Sequence, residues 1–93
     1  MKESITKNIV ETFNCLYFKI TDESHQHHGH KGVDRTTNTH FRLIVVSEHF
    51  EGQTLVQRQR QVNKACKPYF DQGLHALACQ TFTLNEWSKR DGK

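Results

Sequence analysis

Residues 40–47, HFRLIVVS, constrain the fold more than any other stretch. In an extended chain Phe41, Leu43 and Val45 fall on one side, and Ile44 and Val46 on the other. Side chains of a strand alternate between faces, so this segment is apolar on both. A strand covered on both faces belongs in the interior of a sheet. The rest of the chain must therefore supply flanking strands and a layer of helices to cover them. With 93 residues it has to do so within one domain, spanning residues 1–93, whose core is modest.

The flanking elements follow from periodicity. Ile5, Ile9, Phe13 and Leu16 recur at spacings of four and three, which predicts an amphipathic first helix. Residues 17–21, YFKIT, alternate as a strand does. Residues 22–39 break every pattern and predict a long mobile loop, carrying four histidines within HQHHGH. Residues 54–70 read as a second helix with Leu55, Val62, Cys66 and Tyr69 as its apolar seam. Pro68 removes a backbone donor there, so a kink or a weak last turn is expected. Gly73 is a natural stop. Residues 75–82, HALACQTF, predict a third strand. Thr83 and Glu86 then have the spacing of a capping box, with Phe82 and Trp87 at the staple positions, before a tail from residue 88 expected to fray. The first two strands are joined by a loop and can pair antiparallel. The third follows a helical crossover, so it can pair parallel. The expected fold is a small α/β domain of order αββαβα, with a three-stranded mixed sheet and its helices on one face.

Composition narrows the function. Hydrophobic residues are 34% and charged residues 25%, which fits one thin core and a polar segment. No apolar run approaches the roughly 18 residues of a membrane span. The N-terminus lacks a signal-peptide pattern, so a soluble, cytoplasmic protein is expected, or a mitochondrial one if a presequence has been removed. A net charge of +3 falls short of a committed nucleic-acid binder. Cys15, Cys66 and Cys79 are odd in number and lack a CxxC spacing. They read as buried small apolar residues rather than a disulfide framework or zinc ribbon. No nucleophile–base motif, HExxH, P-loop or dinucleotide fingerprint occurs, so catalysis has little support.

Four segments in order resemble the BolA family: DES at 22–24, THF at 39–41 leading into the strand and Ser47, FEG followed by RQR within 50–60, and HALA at 75–78 before TFT and EW. The histidine-rich loop looks like the histidine type of that family. The resemblance implies a class II KH-like fold and a non-enzymatic partner of monothiol, CGFS-type glutaredoxins. It implies a [2Fe–2S] cluster shared by the heterodimer, to which the glutaredoxin brings its cysteine and a glutathione thiol, and a role in cluster trafficking or iron regulation. His75 would be one ligand and a loop histidine the other. Ungapped counting from residue 24 favours His27, and the GH pattern favours His30. No resident cofactor is expected in the isolated chain, which should be a monomer on its own. Where the family usually reads RHR, this chain reads Arg58-Gln59-Arg60.

The residues themselves allow competing readings. His75 sits where a strand begins, so a sheet can fix its position while the ring faces a partner's metal, and imidazole suits iron or zinc. His25, His27, His28 and His30 could instead buffer metals unaided. His40 reads as structural, and His49 as exposed. Arg58, Arg60, Lys64 and Lys67 are expected to form one basic face of the second helix, for an acidic partner, glutathione carboxylates or phosphate. That face underlies the alternative of a DNA- or RNA-binding transcriptional regulator.

Overall fold

The computed structural model describes residues 1–23 and 40–91. The order is α1 (Lys2–Phe13), β1 (Tyr17–Asp22), β2 (His40–Val46), a 3-10 turn (Glu48–Phe50), α2 (Leu55–Ala65), α3 (Lys67–Asp71), β3 (Ala76–Phe82) and α4 (Leu84–Asp91). The strands form one sheet in the order β1-β2-β3. β1 runs antiparallel to β2, and β3 runs parallel to it. The mixed three-stranded α/β architecture is the one the sequence predicts. The long segment 24–39, with its four histidines, lies outside the described residues.

β2 lies between β1 and β3, and its two faces are covered unequally. Phe41, Leu43 and Val45 pack with Ile5, Ile9 and Phe13 of α1, and with Val62 of α2 and Cys66 just beyond it. Leu43, Val45, Ile5, Ile9 and Val62 are fully buried. Each such side chain contributes about 1.5–3 kcal/mol by leaving water. The other face is covered at one end only. Tyr17, Val46 and Phe82 are register neighbours across the three strands. Trp87 of α4 stacks on Tyr17 at 5.1 Å and meets Phe82 at 5.2 Å. Helices therefore touch both faces, not one, and Val46 is fully buried as a result.

Helix ends explain the other departures. α1 stops at Phe13 because Asn14 takes the left-handed conformation (φ 51°, ψ 56°) and returns its N–H to Val10. Leu16 lies beyond that cap, 51% exposed, and its N–H goes to the Val46 carbonyl. The expected second helix is two. Thr54 and Gln57 form a capping box that starts α2, which leaves Leu55 at the first turn, 65% exposed rather than in the seam. The backbone turns off the helix at Cys66 (φ −94°, ψ 2°) and α3 begins. Pro68 falls in the first turn of α3, where a missing N–H breaks no helical bond. Gly73 adopts φ 119°, open to glycine and strained for other residues. Thr83 and Glu86 form the expected capping box, with bonds of 2.9 and 3.1 Å. α4 runs from Leu84 to Asp91, so residues 88–91 are helical. Among the described residues, no helix is long and apolar enough to cross a membrane.

Candidate metal-ligating site at the strand mouths

His75 is held from both sides while its ring stays in solvent. Leu74 before it is buried in the core, and Ala76 after it opens β3. The Leu74 N–H bonds the Tyr69 carbonyl at 2.9 Å, which ties this approach to α3. His75 itself is exposed.

The parallel register sets His40 opposite Ala76, and this brings two histidines together. The His40 and His75 rings have centroids 5.2 Å apart, with planes inclined by 33°. His40 is partly buried, and its carbonyl accepts the Glu23 N–H at 2.8 Å. Glu23 in turn receives the Arg42 Nε–H at 2.8 Å. The residues flanking segment 24–39 are therefore bonded to each other beside the pair. The sequence reading assigned His40 to structure alone. Its proximity to His75 depends on pairing between segments 35 residues apart, which no local pattern reveals. His27 and His30 lie outside the described residues. His49 is exposed in the 3-10 turn, at the other end of β2.

The thiols are poorly suited to ligation. Burial pushes Cys15 up to about 11, Cys66 to about 11, and Cys79 to about 12, the last also raised by neighbouring Cys66 and Cys15. Metals take the thiolate, which these sites disfavour at neutral pH. Cys66 is fully buried and belongs to the core, as the sequence suggested. Among the described residues, no three His, Cys, Asp or Glu side chains converge as a metal cage. The two imidazoles can supply part of a coordination sphere, and the remainder must come from elsewhere.

A family model for BolA-like proteins matches residues 9–86. The chain belongs to the BolA family. An uncharacterised protein from the cobS 5′ region of a Sinorhizobium species is 42% identical over 86% of this chain and 87% of its own length. The DNA-binding transcriptional regulator BolA of Vibrio cholerae is 34% identical over 96% of this chain and 80% of its own. Among solved structures, BolA1 from Arabidopsis thaliana aligns with a TM-score of 0.81 at 33% identity, over 92% of this chain and 94% of that one.

In this BolA-like chain the expected basic face divides. Arg60, Lys64 and Lys67 are exposed, with Lys67 3.6 Å from Asp71. Arg58 is not part of that surface: it is 5% exposed. Its guanidinium bonds the Glu86 carboxylate through Nη1 at 2.8 Å and Nη2 at 3.2 Å, its Nε–H reaches the Gln53 carbonyl at 3.1 Å, and it lies over the Phe50 ring. The geometry of a helix explains the correction. At about 100° per residue, Arg58 stands about 200° from Arg60 but shares a stripe with Val62, one turn on. Gln59, in place of the family's histidine, donates through Nε2 to the Cys79 carbonyl at 2.6 Å, tying α2 to β3.

Proposed function

We propose that this BolA-like protein is a non-enzymatic adaptor of the histidine type, which pairs with a monothiol glutaredoxin and contributes ligands to a shared [2Fe–2S] cluster. The observation that supports this reading best is the placement of His75. Its backbone is anchored by the buried Leu74 and by β3, while its ring is exposed. A ligand meant for a metal carried by another protein needs that combination.

The donor chemistry points the same way. An exposed imidazole is a ready ligand, whereas the three thiols are held as thiols by burial. The missing sulfur ligands would come from the glutaredoxin cysteine and glutathione, and the second histidine would be His27 or His30. When bound, such a cluster with imidazole on one iron has a higher potential than an all-thiolate one. Cluster assembly, trafficking or iron regulation is the role this arrangement serves.

The test is co-expression with a monothiol glutaredoxin. The reading expects a coloured heterodimer, with a visible spectrum altered by His75→Ala. A colourless mixture, or a spectrum indifferent to that change, would sink it.

A second reading is supported by the exposed row Arg60, Lys64 and Lys67, and by the Vibrio relative's description as a DNA-binding transcriptional regulator. Nucleic acid on this row would bind with steep salt dependence, because phosphate contacts release counterions. Arg60→Gln with Lys64→Gln should then reduce both the affinity and the salt slope. Unchanged binding in that double variant would remove the reading.

A further inference from the structure

We propose that His40 and His75 form a two-imidazole site for one borderline divalent cation of the zinc type, occupied by the protein without any partner. This goes beyond the adaptor reading and stands without it, although both use His75.

The spacing of the rings carries the inference. An imidazole nitrogen binds Zn²⁺ at about 2.0–2.1 Å, and the ring centre lies about 1.2 Å further out, so two rings meeting one ion at the tetrahedral angle have centroids about 5.3 Å apart. The observed separation is 5.2 Å. At that separation, rotation of the rings is what must turn a nitrogen of each toward one point. His75 is exposed, so its ring can turn to present a nitrogen without disturbing the core. His40 is the more constrained member, carried on the central strand and backed by the bond between its carbonyl and Glu23. The site thus has one fixed ligand and one adjustable ligand.

A carboxylate stands beside the pair. Glu23 sits opposite His40 across the β1–β2 pairing. It is paired with Arg42, whose Nε lies 2.8 Å away, so it adds no net negative charge at the rings. The residue opposite His40 on β3 is Ala76, whose side chain is small. Two protein ligands leave open positions, which water fills in the isolated chain. A partner could fill the same positions, so zinc at this pair and a ligand role for His75 in a heterodimer would exclude one another.

The test titrates Zn²⁺ into a full-length variant in which His25, His27, His28 and His30 are all asparagine, with imidazole nitrogens followed by NMR. The expected result is one equivalent bound, with the nitrogens of both His40 and His75 shifting together. His75→Asn and His40→Asn, each on that background, should weaken binding at least tenfold. Should His40→Asn disturb the fold, the coupled nitrogen shifts and the His75→Asn loss decide the matter without it. Failure of the loop-substituted protein to bind Zn²⁺, shifts at His75 with none at His40, or affinity indifferent to His75→Asn would each overturn the proposal. None of these outcomes bears on whether a coloured heterodimer forms with a glutaredoxin.

Discussion

Arg58 of α2 holds Glu86 of α4 through two parallel N–H to oxygen bonds, 2.8 and 3.2 Å long, and is itself almost wholly buried. Two residues 28 positions apart thereby join the long helix on one side of the sheet to the last helix of the chain. Arg58 is 6% exposed at the side chain and Glu86 45%. That asymmetry decides what removing either should do.

Glu86→Ala should cost more stability than Arg58→Met. The first leaves a buried guanidinium beside the Phe50 ring with only the Gln53 carbonyl as hydrogen-bond acceptor among the described residues, and also breaks the Thr83 cap, for a loss of about 2–4 kcal/mol. The second leaves a carboxylate that can reach water and keeps much of the packing on Phe50, for about 1–2 kcal/mol. Urea denaturation of the two variants checks the order.

The same pair should shape the acid limb of stability. The Arg58 hydrogen bonds hold the Glu86 carboxyl below its ordinary range, helped by the Thr83 N–H. A depressed carboxylate stabilises the fold fully above the unfolded value, about 4.3, and that contribution is lost as pH falls through the lower folded value. Urea midpoints measured downward from about pH 6 should therefore fall through and below about pH 4, and Glu86→Gln should fall less steeply.

Pro68→Ala should destabilise slightly, by about 0.4–1 kcal/mol, rather than relieve strain. In the first turn of α3 the ring breaks no helical bond, and its main effect is to restrict the unfolded chain. Thermal unfolding of the variant measures the sign. A more stable variant would mean that the proline is strained where it stands.

Trp87→Ala should cost about 2–3 kcal/mol, because it uncovers Val46 and leaves Tyr17 and Phe82 without their ring partner. Trp87 is the only tryptophan in the chain, so its emission reports α4 docking directly. Glu86→Ala, which loosens the same helix, should shift that emission to the red below the main unfolding transition.

Thiol labelling at neutral pH should be slow in the native protein and fast in urea. Burial keeps all three cysteines protonated, and the nucleophile is the thiolate. Cys66, fully buried, should react last, on the timescale of global unfolding. Rapid native labelling at Cys66 would mean that α2 opens locally.

What was legible in the sequence was what local chemistry decides. The doubly apolar run 40–47 located the central strand, and the Thr83–Glu86 spacing located a cap. Pro68 marked a real break, although as the start of a new helix rather than a flaw in an old one. The charge of Arg58 suggests the surface, but its helical phase, one turn before Val62, puts it inside. Phe50 has no periodic neighbours to mark it, yet it is fully buried and packs on Phe13 with centroids 5.3 Å apart. Of the candidate site, His75 was legible from its position before a strand. Its neighbour His40 was not, since the contact exists only once β2 and β3 pair in parallel. No local signal carries that register.

The Gln59 bond to Cys79 has a consequence for the protein among copies of itself. β3 is the last strand of its sheet. The Phe82 carbonyl points inward to the Ser47 N–H, so by alternation the carbonyls of Thr81, Cys79 and Leu77 point outward. An outward row of this kind is a template for cross-chain strand addition and aggregation. Gln59 occupies the middle acceptor of that row. A side chain standing where the family more often carries histidine thus takes up one of the acceptors through which a foreign strand would lengthen the sheet.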